Sequence, residues 1–262
     1  MTLDVTSYDP VGALVRGVTV NTLDPATVAH LRALLAVHGV LVLPDQHHVD
    51  DARFGRFLSS FGELVFTTGE TPVPHAPLLN VITNVGRTRK PRSEFHVDTS
   101  YLRTPPAYTA LRAVTVPLRG GHTMFTNQYA AYESLPSKIK ARVRNRVVTH
   151  VVTGLNLAEG AQAAARHPLA LRHPLSGRAA LYLSTRQRCR EVSGLAADEA
   201  AQLIDDLLTH STRADNVFRH QWQAGDVVIW DNRCVMHKAD HEDVMGDRVM
   251  HRGTVLDRAG WA

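Results

Sequence analysis

Apolar positions recur at a spacing of three to four across residues 25–39, where Val28, Leu31, Leu34, Leu35 and Val37 predict an amphipathic helix with Gly39 as its stop. Residues 40–43, Val-Leu-Val-Leu closed by Pro44-Asp45, are apolar throughout and predict a short buried strand. A second helix is expected over 49–61, with Gly62 in the C-cap role. From 66 to 93 the periodicity fades, apart from an apolar patch at 78–83. Thr, Gly, Pro, Arg and Lys dominate there, and an irregular stretch this long inside a compact domain points to a functional or mobile segment.

Alternation of period two returns at 108–116 and, past Gly120-Gly121, at 122–126, which places Thr123 near the start of a strand. Short helices are predicted at 129–135 and 136–143, strands at 147–153 and 179–184, and a helix at 195–210 with acids in its first turn. The Ala-rich stretch 155–166 reads as helical or loose. Strands at 217–222, 226–230 and 248–256 finish the chain. Many short strands, few helices and no βαβ rhythm predict a mainly β fold with flanking helices, an antiparallel sandwich or jelly roll, as one domain over 1–262.

The pattern also sorts the candidate chemistry. In the extended stretch Glu94-Phe95-His96-Val97-Asp98-Thr99, His96 and Asp98 lie two apart and project to one face, which is two thirds of a 2-His-1-carboxylate facial triad. His-x-Asp alone says little in a chain with 15 histidines. Further on, a Gly225-Asp226 turn launches the apolar strand into Trp230-Asp231-Asn232-Arg233 and a loop carrying His237. In the last strand Arg248, Met250, Arg252 and Thr254 share one face. Two arginines on an inward face call for an anion, because a buried guanidinium without a partner is costly.

These residues resemble the TauD/TfdA group of Fe(II)- and 2-oxoglutarate-dependent dioxygenases from about Gly39 onward. The likeness rests on His-x-Asp, Gly-Gly-x-Thr at Gly120 to Thr123, His-Pro-x-Ser-Gly-Arg at His173 to Arg178, and Trp-Asp-Asn-Arg-x3-His at Trp230 to His237. The resemblance implies a double-stranded β-helix, the cupin-like jelly roll, with Fe(II), 2-oxoglutarate as co-substrate and O2. It implies His96, Asp98 and His237 as iron ligands and Thr123 with Arg248 at the distal carboxylate of 2-oxoglutarate. Arg252 falls where relatives bind the acid of the primary substrate, and the segment 66–93 where they carry a lid. Halogenating relatives replace the carboxylate ligand with a small residue, so Asp98 argues for hydroxylation or another oxygen-derived outcome. Arg188 stands where similar taurine-oxidising enzymes place an aromatic residue, so a second cation is expected beside an anionic substrate, and taurine itself is put in doubt.

Composition narrows the rest. The chain of 262 residues, 44% hydrophobic, suffices for one large core. Two cysteines, Cys189 and Cys234, suggest no disulfide framework, and residues 1–20 show no basic segment followed by an apolar run, so a soluble, cytoplasmic protein is expected. A net charge of +4 admits nucleic acid or a membrane surface, yet arginine outnumbers lysine 25 to 4 in an Ala-rich chain, which fits a coding bias. The basic clusters at 87–92, 138–146 and 186–190 lack interleaved aromatics, so neither nucleic acid nor membrane is expected as partner, and a homo-oligomer stays open. His237 and His241 have the spacing of a helical zinc pair, but without the glutamate of His-Glu-x-x-His. The alternative function is a non-catalytic or hydrolytic cupin-type metal protein, which needs neither Thr123 nor Arg248.

Overall fold

The computed structural model describes residues 3–21, 23–88 and 93–257. Its strands are β1 (Asp4–Ser7), β2 (Ala13–Arg16), β3 (Val40–Leu43), β4 (Glu63–Val65), β5 (Thr71–Val73), β6 (Ala76–Thr83), β7 (Tyr108–Thr115), β8 (Thr123–Asn127), β9 (Val147–Val151), β10 (Ala164–Pro168), β11 (Ala170–Arg172), β12 (Ala179–Leu181), β13 (Cys189–Val192), β14 (Val217–His220), β15 (Val227–Asp231), β16 (Val235–Ala239) and β17 (Val249–Leu256). Five α-helices accompany them among the described residues: α1 (Pro25–His38), α2 (Asp51–Ser59), α3 (Gln128–Glu133), α4 (Ser137–Val143) and α5 (Ala197–Ser211).

One large sheet runs β1-β2-β3-β15-β7-β17-β6-β5, with β4 also paired to β17. A smaller sheet, β14-β8-β16, faces it. The apolar runs of β3 and β15 follow from this arrangement, since both faces are covered. Leu41, Leu43, Val227 and Ile229 pack outward against Leu31 and Leu35 of α1 and Phe54, Phe57 and Leu58 of α2. Val40, Val42, Val228 and Trp230 pack inward against Phe125, Tyr129 and Val235. Each fully buried side chain of this size contributes about 1.5–3 kcal/mol. The result is the jelly roll, with the mouth between the two sheets left for chemistry.

The helices start where their caps allow. Asp24 accepts from the Thr27 amide at 2.9 Å ahead of α1, and Asp50 from the Arg53 amide at 2.7 Å ahead of α2. α2 ends at Ser60, so Gly62 is not its C-cap. Gly62 has φ 153°, and a Cβ there would stand 2.1 Å from the Leu256 carbonyl oxygen, so it is glycine because β4 crosses close to β17.

Two further expectations change. Residues 71–83, expected inside one irregular segment, form the paired strands β5 and β6, and β6 bonds to β17. The stretch 155–166, read as helical or loose, is loose as far as Ala163 and then enters β10. His237 sits in a strand, not a loop, with β16 paired to β8. Residues 89–92 of the basic stretch 87–92 lie outside the described residues. No helix among the described residues is long and apolar enough to cross a membrane.

Candidate active site

The two halves of the candidate ligand set meet through backbone. His96 and His237 exchange both amide-to-carbonyl bonds at 3.0 Å, an isolated antiparallel bridge that fixes the approach of the His-x-Asp stretch to β16. Their rings lie 4.3 Å apart between centroids. Asp98 Oδ1 is 3.7 Å from His96 Nε2, and Asp98 Oδ2 is 3.8 Å from His237 Nε2. Ligand atoms of all three lie within 4.8 Å of one another, a span that one metal ion bridges.

The tautomer and the charge both suit a cation. His96 Nδ1 donates to the Glu94 carbonyl at 2.8 Å, which leaves Nε2 as the nitrogen facing Asp98. Burial, and then His96, push His237 down to about 3, so its imidazole stays neutral. Burial alone would raise the Asp98 carboxyl, but the groups facing it, the Arg252 guanidinium among them, outweigh it and hold Asp98 well below the usual carboxylate range. Two imidazole nitrogens and one carboxylate are the donor set that Fe(II) takes.

Behind the ligands runs a relay that the sequence did not disclose. Thr109 Oγ1 donates to Asp98 Oδ2 at 2.8 Å, Asn232 Nδ2 donates to Thr109 Oγ1 at 2.9 Å, and Trp230 Nε1 donates to Asn232 Oδ1 at 3.1 Å. Asn232, which reads in the sequence as a turn former whose side chain bonds local backbone, instead aims the carboxylate through Thr109. Its neighbour Asp231 does different work. It is fully buried and accepts from His173 at 3.0 Å and from Arg233 at 2.6 and 2.8 Å. His173, Asp231 and Cys234 also cluster closely enough for a metal. The buried guanidinium already occupies that carboxylate, and burial pushes the Cys234 thiol well up, so the group is a structural pair.

The candidate anion-binding residues lie on a cavity of about 220 Å³, whose lining includes His96, Thr123, Trp230, His237, Arg248 and Arg252. Arg248 is 4% exposed, and its Nε donates to the Gly121 carbonyl at 2.8 Å and its Nη2 to Thr123 Oγ1 at 3.4 Å. It pairs with no carboxylate among the described residues, and burial pushes it down to about 10. Gly121 is glycine for this side chain's sake, since a Cβ there would stand 2.9 Å from Arg248 Cδ and 2.9 Å from Pro117 Cγ. Trp222 Nε1 donates to Thr123 Oγ1 at 3.0 Å. With two N–H groups already donating to that oxygen, the threonine proton is left to point at a ligand.

The remaining candidates part company. Arg252 lines this cavity, with Nη2 3.1 Å from Glu70 Oε1 and Nη1 3.6 Å from Asp98 Oδ1. Arg188 is half-buried, donates to the Val97 carbonyl at 3.1 Å, and lines an adjoining pocket that shares Ser93 and His96 with the first. His241 lines the main cavity without joining the ligand cluster. His251 points to the other face of β17 and bonds Asp51 at 2.6 Å. Glu70, Thr109 and Trp222 were missed: nothing local in the sequence marks a strand threonine or a turn glutamate as part of a site.

A family model described as "Taurine catabolism dioxygenase TauD, TfdA family" matches residues 4–254. The chain is 29% identical over 279 residues to an (S)-phenoxypropionate/alpha-ketoglutarate-dioxygenase of Delftia acidovorans, covering 94% of this chain and 92% of that protein. It is 33% identical over 175 residues to an alpha-ketoglutarate-dependent 2,4-dichlorophenoxyacetate dioxygenase of Cupriavidus pinatubonensis, a match spanning 63% of this chain and 60% of that protein. Among solved structures it is similar to AAD-2 in complex with Mn(II) and N-oxalylglycine, with a TM-score of 0.85, 26% identity and 100% of each chain covered.

Proposed function

Because this chain belongs to the TauD/TfdA family and is a non-haem Fe(II)- and 2-oxoglutarate-dependent dioxygenase, we propose that His96, Asp98 and His237 are its iron ligands and that Arg248 with Thr123 anchors 2-oxoglutarate. The whole chain then acts as one dioxygenase unit. The observation that carries the co-substrate role is Arg248 itself: a buried guanidinium with no acidic partner among the described residues, opening onto the cavity that His96 and His237 line. A cupin-type metal protein with no co-substrate gives no reason to keep such a charge buried.

When bound, iron, 2-oxoglutarate and O2 supply the oxidising power that breaks a substrate C–H bond, with succinate and CO2 as products. The chain's own residues position and shield. His96 is held to one tautomer by Glu94, and Asp98 is held at one oxygen by Thr109, so the metal-facing atoms are set before metal arrives. Arg248 fixes the far carboxylate of 2-oxoglutarate by its planar fork, and Thr123 adds one O–H donor.

The proposed reaction is hydroxylation of a small anionic substrate, a carboxylate, sulfonate or phosphate. Support comes from Arg252 and Arg188, which flank His96 from two pockets, and from relatives named for phenoxypropionate and 2,4-dichlorophenoxyacetate. The test is a screen for succinate release across carboxylates, sulfonates, phosphates and amino-acid derivatives. With the substrate in hand, Arg252→Gln and Arg188→Gln should each raise its KM while leaving that of 2-oxoglutarate nearly unchanged. A neutral or cationic best substrate, or two silent variants, contradicts the proposal.

A further inference from the structure

The cation proposed for the substrate's acid already holds one. Arg252 Nη2 donates to Glu70 Oε1 at 3.1 Å, and both residues line the cavity that His96 and His237 open onto. The partners are unequal. The Arg252 side chain is 10% exposed and rooted in the middle of β17, whereas that of Glu70 is 35% exposed and projects from the turn between β4 and β5. The arginine cannot leave, and the glutamate can turn to water.

Their contact is also incomplete. Arg252 Nε is buried with no hydrogen-bond partner among the described residues, and Nη1 reaches only Asp98 Oδ1, at 3.6 Å. A planar fork engaged at a single nitrogen is a poorer match than one engaged at two, so an acid that takes two prongs outcompetes Glu70. Meanwhile the resident carboxylate spares the empty site an unpaired buried charge.

We infer that Glu70 is a resident counter-ion in the substrate's anion seat, displaced into water when the substrate's acid binds Arg252, and that it thereby sets how strong an anion the enzyme admits. This rests on Arg252 as the substrate's cation. A ligand that presents one weak acceptor fails to exchange with Glu70, and one that presents two or three oxygens succeeds.

The test titrates methanesulfonate, under anaerobic conditions and by calorimetry, into enzyme loaded with Fe(II) and 2-oxoglutarate. Wild type, Glu70→Gln, Arg252→Gln and the double variant are compared, with 2-oxoglutarate affinity as the check that each protein is intact. Glu70→Gln should bind methanesulfonate about two- to fivefold more tightly, the scale of a part-exposed ion pair. Arg252→Gln should weaken it at least about tenfold, as loss of a charge-assisted pair does, and Glu70→Gln should add nothing in that background. Unchanged, weaker or absent binding by Glu70→Gln, with Arg252 still required in wild type, overturns the counter-ion inference and leaves the role of Arg252 standing. Wild-type binding by Arg252→Gln overturns both.

Discussion

Thr109 and Asn232 show at the scale of single residues why the three proposed ligands are not the whole of the candidate metal site. Asp98 could rotate about its own side chain, and the Thr109 hydroxyl, held in turn by Asn232, removes that freedom. Outer partners of this kind typically contribute 10- to 100-fold to metal affinity. Thr109→Val keeps the shape of the side chain and deletes the donor, so Fe(II) affinity should fall about tenfold in an anaerobic metal titration while the fold survives. An unchanged affinity would reduce Thr109 to packing. His-x-Asp was legible because its two ligands sit two apart on one extended stretch. Thr109 was not, because a threonine in a β-strand is the ordinary case and its partners come from distant strands.

Two elements carry predictions of their own. β9 places His150 in the core, 0% exposed, against His167 and Tyr182. Burial, and then His167, push His150 down to about 3 from 6.5. The unfolded chain therefore takes up a proton below about pH 6.5 that the folded chain refuses until about pH 3, so this residue's contribution to stability is present above 6.5 and is lost on acidification. Melting temperatures measured from pH 7 to 5 should fall for wild type, and His150→Leu should fall less steeply; equal slopes would exclude His150 as the cause. The second element is the segment on either side of the β5-β6 hairpin, which is proposed as the lid. Glu70 and Arg87 line the cavity from its two ends, and Arg87 is exposed. Trypsin cleavage after Arg87 should slow when Fe(II), 2-oxoglutarate and substrate are all present, and no protection by any ligand set would sink the lid. Helix α1 and strands β3, β7 and β17 were legible because their periodicity is unbroken, and α1 and β3 are also closed by Gly39 and Pro44. β5 and β10 were not, being short strands among Thr, Pro, Gly and Ala. The strand character of His237 was hidden by Asp231-Asn232-Arg233, which reads as a turn and is one, before the chain re-enters a strand at Val235.

At the scale of the whole molecule the central claim is that two sheets converge on one Fe(II)- and 2-oxoglutarate-binding mouth. The His96–His237 bridge and the run of Arg248 to Thr123 and Trp222 are contacts between segments far apart in sequence. The jelly roll could be anticipated from strand number and from resemblance, but sheet order and the pairing of Arg252 with Glu70 are properties of the assembled fold. The claim is tested most directly by adding 2-oxoglutarate to the Fe(II)-loaded enzyme without oxygen and following visible absorption. A metal-to-ligand charge-transfer band should appear only when both are present, vanish in His96→Ala, Asp98→Ala and His237→Ala at matched concentrations, and need at least about tenfold more 2-oxoglutarate in Arg248→Lys, where the planar fork is lost. A band of full intensity in any ligand variant, or a wild-type midpoint in Arg248→Lys, would contradict the account.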